Sequence, residues 1–131
     1  MKFLLDTHTL IWYVQGNTSL SQKAYQLIDE PLNEIFVSMV SFYQIAIKLK
    51  IGKLELNTPL HKYFNNVISH NILVLPISEK YLSEYDNVPL ISTHKDPFDR
   101  LIIATAITEK MSIITVDEQF SNYKDMVTLI W

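Results

Sequence analysis

Three aspartates stand where the sequence could place catalytic or metal-binding carboxylates. Asp6 follows the short apolar segment 2–5, Asp117 follows the apolar segment 112–116, and Asp99 lies in the first turn of a helix predicted to start at Asp96. Ligand sites of open parallel sheets lie beyond the carboxyl ends of the strands, where the strand order reverses. If the three carboxylates converge there, they offer hard oxygen ligands suited to Mg²⁺ or Mn²⁺. Such a cation can activate water and offset the charge that develops on a phosphodiester, so the pattern favours phosphodiester hydrolysis.

Each of these aspartates also has a purely structural interpretation. Asp6 and Asp117 could each cap the turn that follows a strand. Asp96 and Pro97 form a strong helix start, in which Asp96 is the N-cap, and the negative charge of Asp99 suits the helix dipole. We therefore assign Asp96 to structure and Asp99 to both roles.

Basic and aromatic side chains offer contacts to a nucleic acid, although each has a simpler explanation. His8 and His94 could act as bases or metal ligands, but isolated histidines are more often hydrogen-bonded scaffold residues. Candidate contacts to an RNA backbone are Lys48, Lys50, Lys53, Lys95 and Arg100. The presence of these lysines is explained at least as well by solvent exposure at a helix end or in a loop. We assign the following aromatic residues to the core or to an interface rather than to base stacking: Trp12, Tyr13, Phe42, Tyr43 and Tyr63.

Strands and helices are predicted to alternate along the chain. Short apolar segments predict strands at 2–5, 34–37, 72–75, 112–116 and 127–130. Helices are predicted from about Thr9 to Gln15, from a capping box of Ser19 and Gln22 to Asp29, around residues 42–49, from Thr58 and Pro59 to Ser69, from near Ser78, and from Asp96, with deep burial at 101–107. This alternation predicts an α/β fold with a mainly parallel sheet and helices on both faces, in a single domain that spans residues 1–131.

Composition narrows the range of functions. The 131 residues include no cysteine, which excludes thiol catalysis, thiolate zinc sites and disulfides. With Gly16 and Gly52 as the only glycines, neither glycine-rich phosphate loop can be present, so no nucleotide cofactor is expected. No apolar run approaches the ~20 residues that span a bilayer, and the start of the chain does not fit a signal peptide, so we expect a cytoplasmic protein without a membrane partner. The net charge is −3, and a nucleic acid would therefore have to be attracted by a local basic patch.

Five segments, spread in order along the whole chain, match the motifs of a known family. They are LLDTHTLIW, VSMVSFYQIAIKLKIGKL, HKDPFDRLIIATA, ITVDEQF and the terminal Trp131. The short motif D-T-H means little alone, but the thirteen-residue HKDPFDRLIIATA in register with the other four segments is highly specific. Together they resemble the PIN-domain nucleases and, within them, the VapC-type toxins of bacterial toxin–antitoxin pairs.

This resemblance implies a three-layer α/β/α domain with metal-dependent ribonuclease activity, in which Asp6, Asp99 and Asp117 are ligands of Mg²⁺ or Mn²⁺. It implies that Thr7 and Thr115 are nearby hydroxyl groups. It also implies a homodimer, and inhibition by a small antitoxin protein that occupies the groove near the site.

One position departs from the family pattern. The family usually carries glutamate in the Glu-Ile-Ala-Ile-Lys context, where this chain has Gln44. An amide brings no negative charge, so the affinity for a hard cation should fall. Gln44 could also simply complete a capping box with Ser41.

Three interpretations of Gln44 stay open. The chain could be a weakened enzyme in which Gln44 positions the attacking water, or an enzyme in which a neighbouring acid compensates. It could also be a catalytically silent PIN-fold module that binds RNA or an antitoxin without cleavage. We favour a nuclease by fold, and the activity of this sequence is the property to test.

Overall fold

In the computed structural model, which describes residues 1–93 and 96–131, the chain folds around a sheet of five strands that all pair in parallel. The strands are β1 (Lys2–Leu5), β2 (Glu34–Ser38), β3 (Ile72–Leu75), β4 (Ser112–Ile114) and β5 (Leu129–Ile130). The helices are α1 (Thr7–Gln15), α2 (Gln22–Asp29), α3 (Met39–Lys50), α4 (Leu60–Ser69), α5 (Glu79–Tyr85) and α6 (Pro97–Glu109), with a 3₁₀ helix at Glu118–Tyr123. The predicted α/β class and the parallel sheet are confirmed.

The sheet carries a hydrophobic cluster on each face. Consecutive residues of a strand point to opposite faces, and in β1 Phe3 and Leu5 join one cluster while Leu4 joins the other. Helices α1 to α4 contribute buried side chains to the first cluster, and α5, α6 and the 3₁₀ helix contribute to the second. The predicted arrangement of helices on both faces of the sheet, in three layers, is confirmed.

Helix α6 lies deepest in the second face. Its N-cap is Asp96, whose Oδ1 accepts hydrogen bonds from the backbone N–H groups of Phe98 at 2.8 Å and Asp99 at 3.2 Å. All residues from 101 to 106 are buried, as the apolar run predicted. Among the described residues, no helix combines the length and the apolar character needed to cross a membrane.

Several element ends differ from the sequence predictions. Helix α2 is capped by Ser21 and not by Ser19, since the Ser21 Oγ accepts from the backbone N–H of Ala24 at 3.0 Å. Pro59 occupies the N-cap of α4 in place of Thr58, because its extended backbone (φ −58°, ψ 154°) keeps it outside the helix. Strands β4 and β5 are shorter than the predicted segments 112–116 and 127–130.

Candidate active site

The sheet has one point at which its strand order reverses. The order is β3-β2-β1-β4-β5, so the chain moves outward from β1 through β2 and β3 and then returns to the other side of β1. The carboxyl ends of β1 and β4 lie side by side there, with Leu5 paired to Ile114. Ligand sites in such sheets lie beyond this point. The residues that follow Leu5 and Ile114 therefore form the candidate site.

Asp6 follows β1 at this point and is only 3% exposed. Its Oδ1 accepts a hydrogen bond from the backbone N–H of Thr9 at 2.8 Å, and its Oδ2 accepts one from the Thr115 hydroxyl at 2.5 Å. The first bond caps α1, which therefore starts at Thr7, two residues earlier than predicted. Burial raises the pKa of Asp6, because the charged form loses its hydration, while the bonds from Thr115 and Thr9 act in the opposite direction.

Thr115 links Asp6 to Asp117. The same Thr115 oxygen that donates to Asp6 accepts a hydrogen bond from the backbone N–H of Asp117 at 3.0 Å. The Asp117 Oδ1 accepts from the backbone N–H of Gln119 at 2.9 Å and caps the 3₁₀ helix. Asp6 and Asp117 thus both serve as caps, as their structural interpretation predicted, and the cap role places both beside Thr115.

A small polar cluster joins α1 to α3 next to Asp6. The Thr7 hydroxyl donates to the Gln44 Oε1, and its oxygen lies 2.9 Å from the Ser41 Oγ. Thr7 and Ser41 are buried, and Gln44 is half-buried. Because Thr7 is the residue after Asp6, Gln44 lies at the edge of the Asp6 site. A glutamate at this position could accept the same hydrogen bond and would add a negative charge.

The capping-box interpretation of Ser41 and Gln44 is wrong. Helix α3 begins at Met39, and its N-cap is Ser38, whose Oγ accepts from the backbone N–H of Val40 at 3.1 Å. Ser41 and Gln44 therefore lie inside the helix, three residues apart, where side chains share one face. Both turn toward Thr7 rather than toward the end of their own helix.

Asp99 is carried by a different element from Asp6 and Asp117. It is half-buried in the first turn of α6, a helix that packs against α3 with the ring of Phe98 5.6 Å from that of Tyr43. Within residues 1–93 and 96–131, no group of three or more histidine, aspartate or glutamate side chains is arranged to hold a metal ion. The structure brings Asp6 and Asp117 together through Thr115, but it does not assemble three carboxylates into one cluster.

The environment of Asp6 nevertheless fits a divalent cation. In the part of the chain that the structure describes, no lysine or arginine forms an ion pair with this buried carboxylate. Buried charges are normally paired or bound to metals. Mg²⁺ usually binds through one or two carboxylates and keeps several waters. Asp6 could therefore hold such an ion, and Asp117, linked to it through Thr115, is the candidate second carboxylate.

One lysine of α3, Lys48, has a side-chain contact near the site. Lys48 is one helical turn beyond Gln44, and its Nζ lies 3.4 Å from the Nε2 of His8. Two further lysines are exposed: Lys50 at the end of α3 and Lys53 in the turn that follows. Lys48 thus combines a positive charge with a position next to the polar cluster.

Two other predicted basic contacts have different outcomes. Arg100 is only 7% exposed, and its Nε donates to the Tyr85 hydroxyl at 3.1 Å. This burial gives Arg100 a scaffold role and argues against a contact with RNA. Lys95 lies outside the described residues, as does His94.

Thr9 was not predicted from the sequence as a site residue, although Thr9 makes two hydrogen bonds that stabilise the site. Its backbone N–H donates to Asp6, and its hydroxyl donates to the backbone oxygen of Ile114 at 2.9 Å. The first contact has a sequence signal, because an N-cap aspartate accepts from the residue two or three positions later. The second joins residues 105 positions apart and has no local signal.

The fold is that of an α/β protein with an acidic candidate site at the switch point of a parallel sheet. The chain belongs to the PIN domain family, whose profile matches residues 3–126. This match confirms the resemblance inferred from the five sequence segments. The chain is also 27% identical over 121 residues to Ribonuclease VapC22 of Mycobacterium tuberculosis, an alignment that covers 92% of this chain and 91% of the relative.

Solved structures with low sequence identity share the fold. The chain is similar to VapBC2 from Rickettsia felis bound to a DNA fragment from its promoter, with a TM-score of 0.68 and 17% identity over 99% of this chain and 98% of the other. It is also similar to FitAcB from Neisseria gonorrhoeae, with a TM-score of 0.65 and 18% identity over 98% and 96% of the two chains. VapBC-1 from nontypeable Haemophilus influenzae gives a TM-score of 0.65 and 17% identity over 99% and 97%.

Proposed function

We propose that this chain is a VapC-like, metal-dependent endoribonuclease toxin that hydrolyses RNA phosphodiester bonds and is neutralised by a small antitoxin. The observation that carries the proposal is the buried carboxylate of Asp6 at the switch point of the sheet, bonded to Thr115 and so placed beside Asp117. Membership of the PIN domain family and the likeness to a protein named a ribonuclease support it.

The proposed cofactor is Mg²⁺ or Mn²⁺, held by Asp6 and Asp117, whereas the proposal of Asp99 as a third ligand rests on the family resemblance alone. Such an ion, when bound, supplies a reactive water and offsets the charge on the phosphodiester under attack. The protein contributes orientation. Hydrogen bonds from Thr9 and Thr115 engage both oxygens of Asp6, so the carboxylate is fixed before any ligand arrives.

Gln44 is the proposed water-positioning residue. The hydrogen bond from Thr7 to its Oε1 fixes the amide, which leaves the Nε2 group as a donor toward the site. An amide cannot accept a proton from water, whereas a glutamate in the same place could. We therefore expect the chain to cleave RNA more slowly than its Gln44→Glu variant.

A cleavage assay tests the metal site. RNA cleavage is measured against Mg²⁺ and Mn²⁺ concentration for the unmodified protein, Asp6→Asn and Asp125→Asn. Asp125 is the matched control, because it is an exposed aspartate outside the site. We expect Asp6→Asn to lose activity on the order of 100-fold, as for loss of one strong electrostatic contact to the reacting group. Equal cleavage by Asp6→Asn and Asp125→Asn would remove Asp6 from the mechanism.

The second candidate function is a catalytically silent module that binds RNA or an antitoxin without cutting. The observation that favours it is Gln44, which leaves the polar cluster next to Asp6 without a negative charge. If the unmodified protein is inactive at all Mg²⁺ and Mn²⁺ concentrations while Gln44→Glu cleaves, the silent module is correct. Cleavage by the unmodified protein excludes it.

The proposed protein partners are a small antitoxin and a second copy of this chain. The antitoxin proposal is supported by structural neighbours that are themselves toxin–antitoxin pairs, such as the VapBC assemblies described above. Light scattering on the purified protein measures its mass, with 15.3 kDa for one chain as the reference value. A mass of one chain at all concentrations would contradict the homodimer.

A further inference from the structure

Three aromatic rings run from the candidate site along α1 to the end of β5. The ring of His8 lies 6.1 Å from that of Trp12, one helical turn further along α1, and the ring of Trp12 lies 6.0 Å from that of Trp131. We call these three residues the aromatic track. His8 is exposed, while Trp12 and Trp131 are half-buried and pack against the core with part of their surface.

The aromatic track is continuous with the Asp6 site at both of its ends. His8 is two residues after Asp6 and contacts Lys48 on α3. Trp131 follows Ile130, whose backbone oxygen accepts a hydrogen bond from the N–H of Thr115 at 3.0 Å. Thr115 is the residue that donates to Asp6. A chain bound at Asp6 that continues along α1 therefore meets His8 first and then Trp12 and Trp131.

The charge and chemistry of this surface suit one kind of occupant. Lys48 adds a cation at the His8 end, next to rings that are not fully covered by the protein. Single-stranded nucleic acids are bound by this combination, in which a cation contacts the backbone and aromatic rings stack against bases. RNA recognition by stacking requires unpaired bases, because bases within a helix are already stacked.

We infer that the aromatic track binds an unpaired base of single-stranded RNA, with the base in contact with the Trp12 and Trp131 rings, which meet edge to face at 60°, and with the adjoining phosphate on Lys48. This rests on the proposed function only for the identity of the ligand as RNA. Trp12 then has two roles: one part of its side chain packs against the core, and the exposed part contacts the RNA base.

The two tryptophans of the chain are Trp12 and Trp131, so intrinsic fluorescence reports directly on the aromatic track. A single-stranded RNA octanucleotide is titrated into the protein with EDTA present, which prevents metal-dependent cleavage. A length-matched abasic oligomer, which has the phosphates but no bases, is the parallel probe. We expect the RNA to quench the tryptophan fluorescence and the abasic oligomer to leave it unchanged.

Variants then separate stacking from general packing. We expect Trp12→Leu to weaken RNA binding on the order of tenfold, Trp12→Phe to retain most of it, and neither to change binding of the abasic oligomer. Phe64→Leu is the matched control, because Phe64 is a half-buried aromatic residue of the same hydrophobic cluster on α4. The fluorescence titration on the unmodified protein stands even if Trp12→Leu does not fold.

Two results would overturn the inference. One is equal quenching by the RNA and the abasic oligomer, and the other is unchanged RNA affinity in a folded Trp12→Leu variant. Failure of the proposed function gives a different pattern: the RNA quenches the tryptophans, and no divalent ion produces cleavage. Cleavage without quenching refutes the aromatic track alone.

Discussion

The carboxylate of Asp6 has a cost for folding that its role in catalysis would explain. Burial raises its pKa because the ionised carboxylate loses its hydration, so the fold disfavours the charged form of this side chain. Its two hydrogen bonds, from Thr9 and Thr115, come from neutral groups. Functional sites commonly carry such a cost, and substitutions that remove it trade activity for stability.

Asp6→Asn should therefore melt at a higher temperature than the unmodified protein in metal-free buffer. The amide keeps an acceptor for the Thr9 N–H and cannot take up the charge that burial disfavours. A gain of ~1 kcal/mol in the free energy of unfolding raises the melting temperature by about 3–5 °C for a domain of this size. Calorimetry with EDTA measures the shift. A lower melting temperature for Asp6→Asn would show that the ionised carboxylate stabilises the fold.

Tyr63 is a second buried polar group with an unusual environment. Its side chain is 4% exposed, and its hydroxyl has no hydrogen-bond partner among the described residues. Tyr63→Phe should raise the free energy of unfolding by about 1 kcal/mol, because an unpaired buried hydroxyl is removed. Tyr81→Phe is the matched control and should lower it by about 1 kcal/mol, since the Tyr81 hydroxyl donates to Glu109 at 3.1 Å.

Alkaline pH gives an independent check on Tyr63. Burial raises the pKa of Tyr63 to about 12, from an ordinary value of 10. The fold therefore favours the protonated phenol, and the stability linked to it is complete below pH 10 and is lost as the pH rises toward 12. Denaturant melts between pH 10 and 12 should show a smaller loss of stability with rising pH for Tyr63→Phe than for the unmodified protein. Parallel losses in the two proteins would place the ionisation elsewhere.

The sequence predicted the acidic half of the site better than the polar half. Asp6 and Asp117 were found because each follows a strand, and parallel strands end at the same edge of a sheet. The contact between Thr7 and Gln44 joins residues 37 positions apart, and nothing local indicates it. The local pattern of Ser41 and Gln44 pointed instead to a helix cap that does not exist.

Helix α3 carries Gln44 and Lys48, so its start at Ser38 sets the position of both. Ser38→Ala should lower the free energy of unfolding by about 1 kcal/mol, because the N-cap bond to Val40 is lost. Ser78→Ala is a matched control, since Ser78 occupies the N-cap of α5 without a side-chain cap bond. Urea melts of the two variants compare them directly. Equal losses would mean that the Val40 bond does not stabilise α3.

Element types were predictable from the sequence, and element ends were less so. Strand segments and helix periodicity predicted the strands and α-helices close to their positions in the structure, but no pattern predicted the 3₁₀ helix at Glu118–Tyr123. The ends depend on choices between similar residues: Ser21 caps α2 although Ser19 fits the capping-box spacing with Gln22. Strand β4 stops at Ile114, and the Thr115 side chain bonds to Asp6, a contact that the sequence pattern of the strand does not contain.

At the scale of the whole molecule, the net charge of −3 opposes RNA binding, so attraction depends on a few cations. Lys48 and Lys53 are the proposed contacts. Replacing either with alanine should reduce the salt dependence of RNA binding by about 0.7 in the slope of log K against log salt concentration. Lys2→Ala is the control, because Lys2 lies at the amino end of β1, opposite the site. The slope is measured by titration at several salt concentrations.

An unchanged slope in Lys48→Ala and Lys53→Ala would locate the RNA backbone on another face. A slope that falls equally in Lys2→Ala would indicate diffuse attraction rather than defined contacts.

The bond between Asp6 and Thr115 joins residues 109 positions apart, and this separation has a consequence for protein synthesis. A ribosome completes Asp6, Thr7 and Gln44 long before it adds the strand that carries Thr115 and, just after it, Asp117. Until that strand inserts beside β1, the nascent polypeptide lacks half of the acidic pocket. The candidate site therefore cannot form during translation until the last part of the chain has left the exit tunnel.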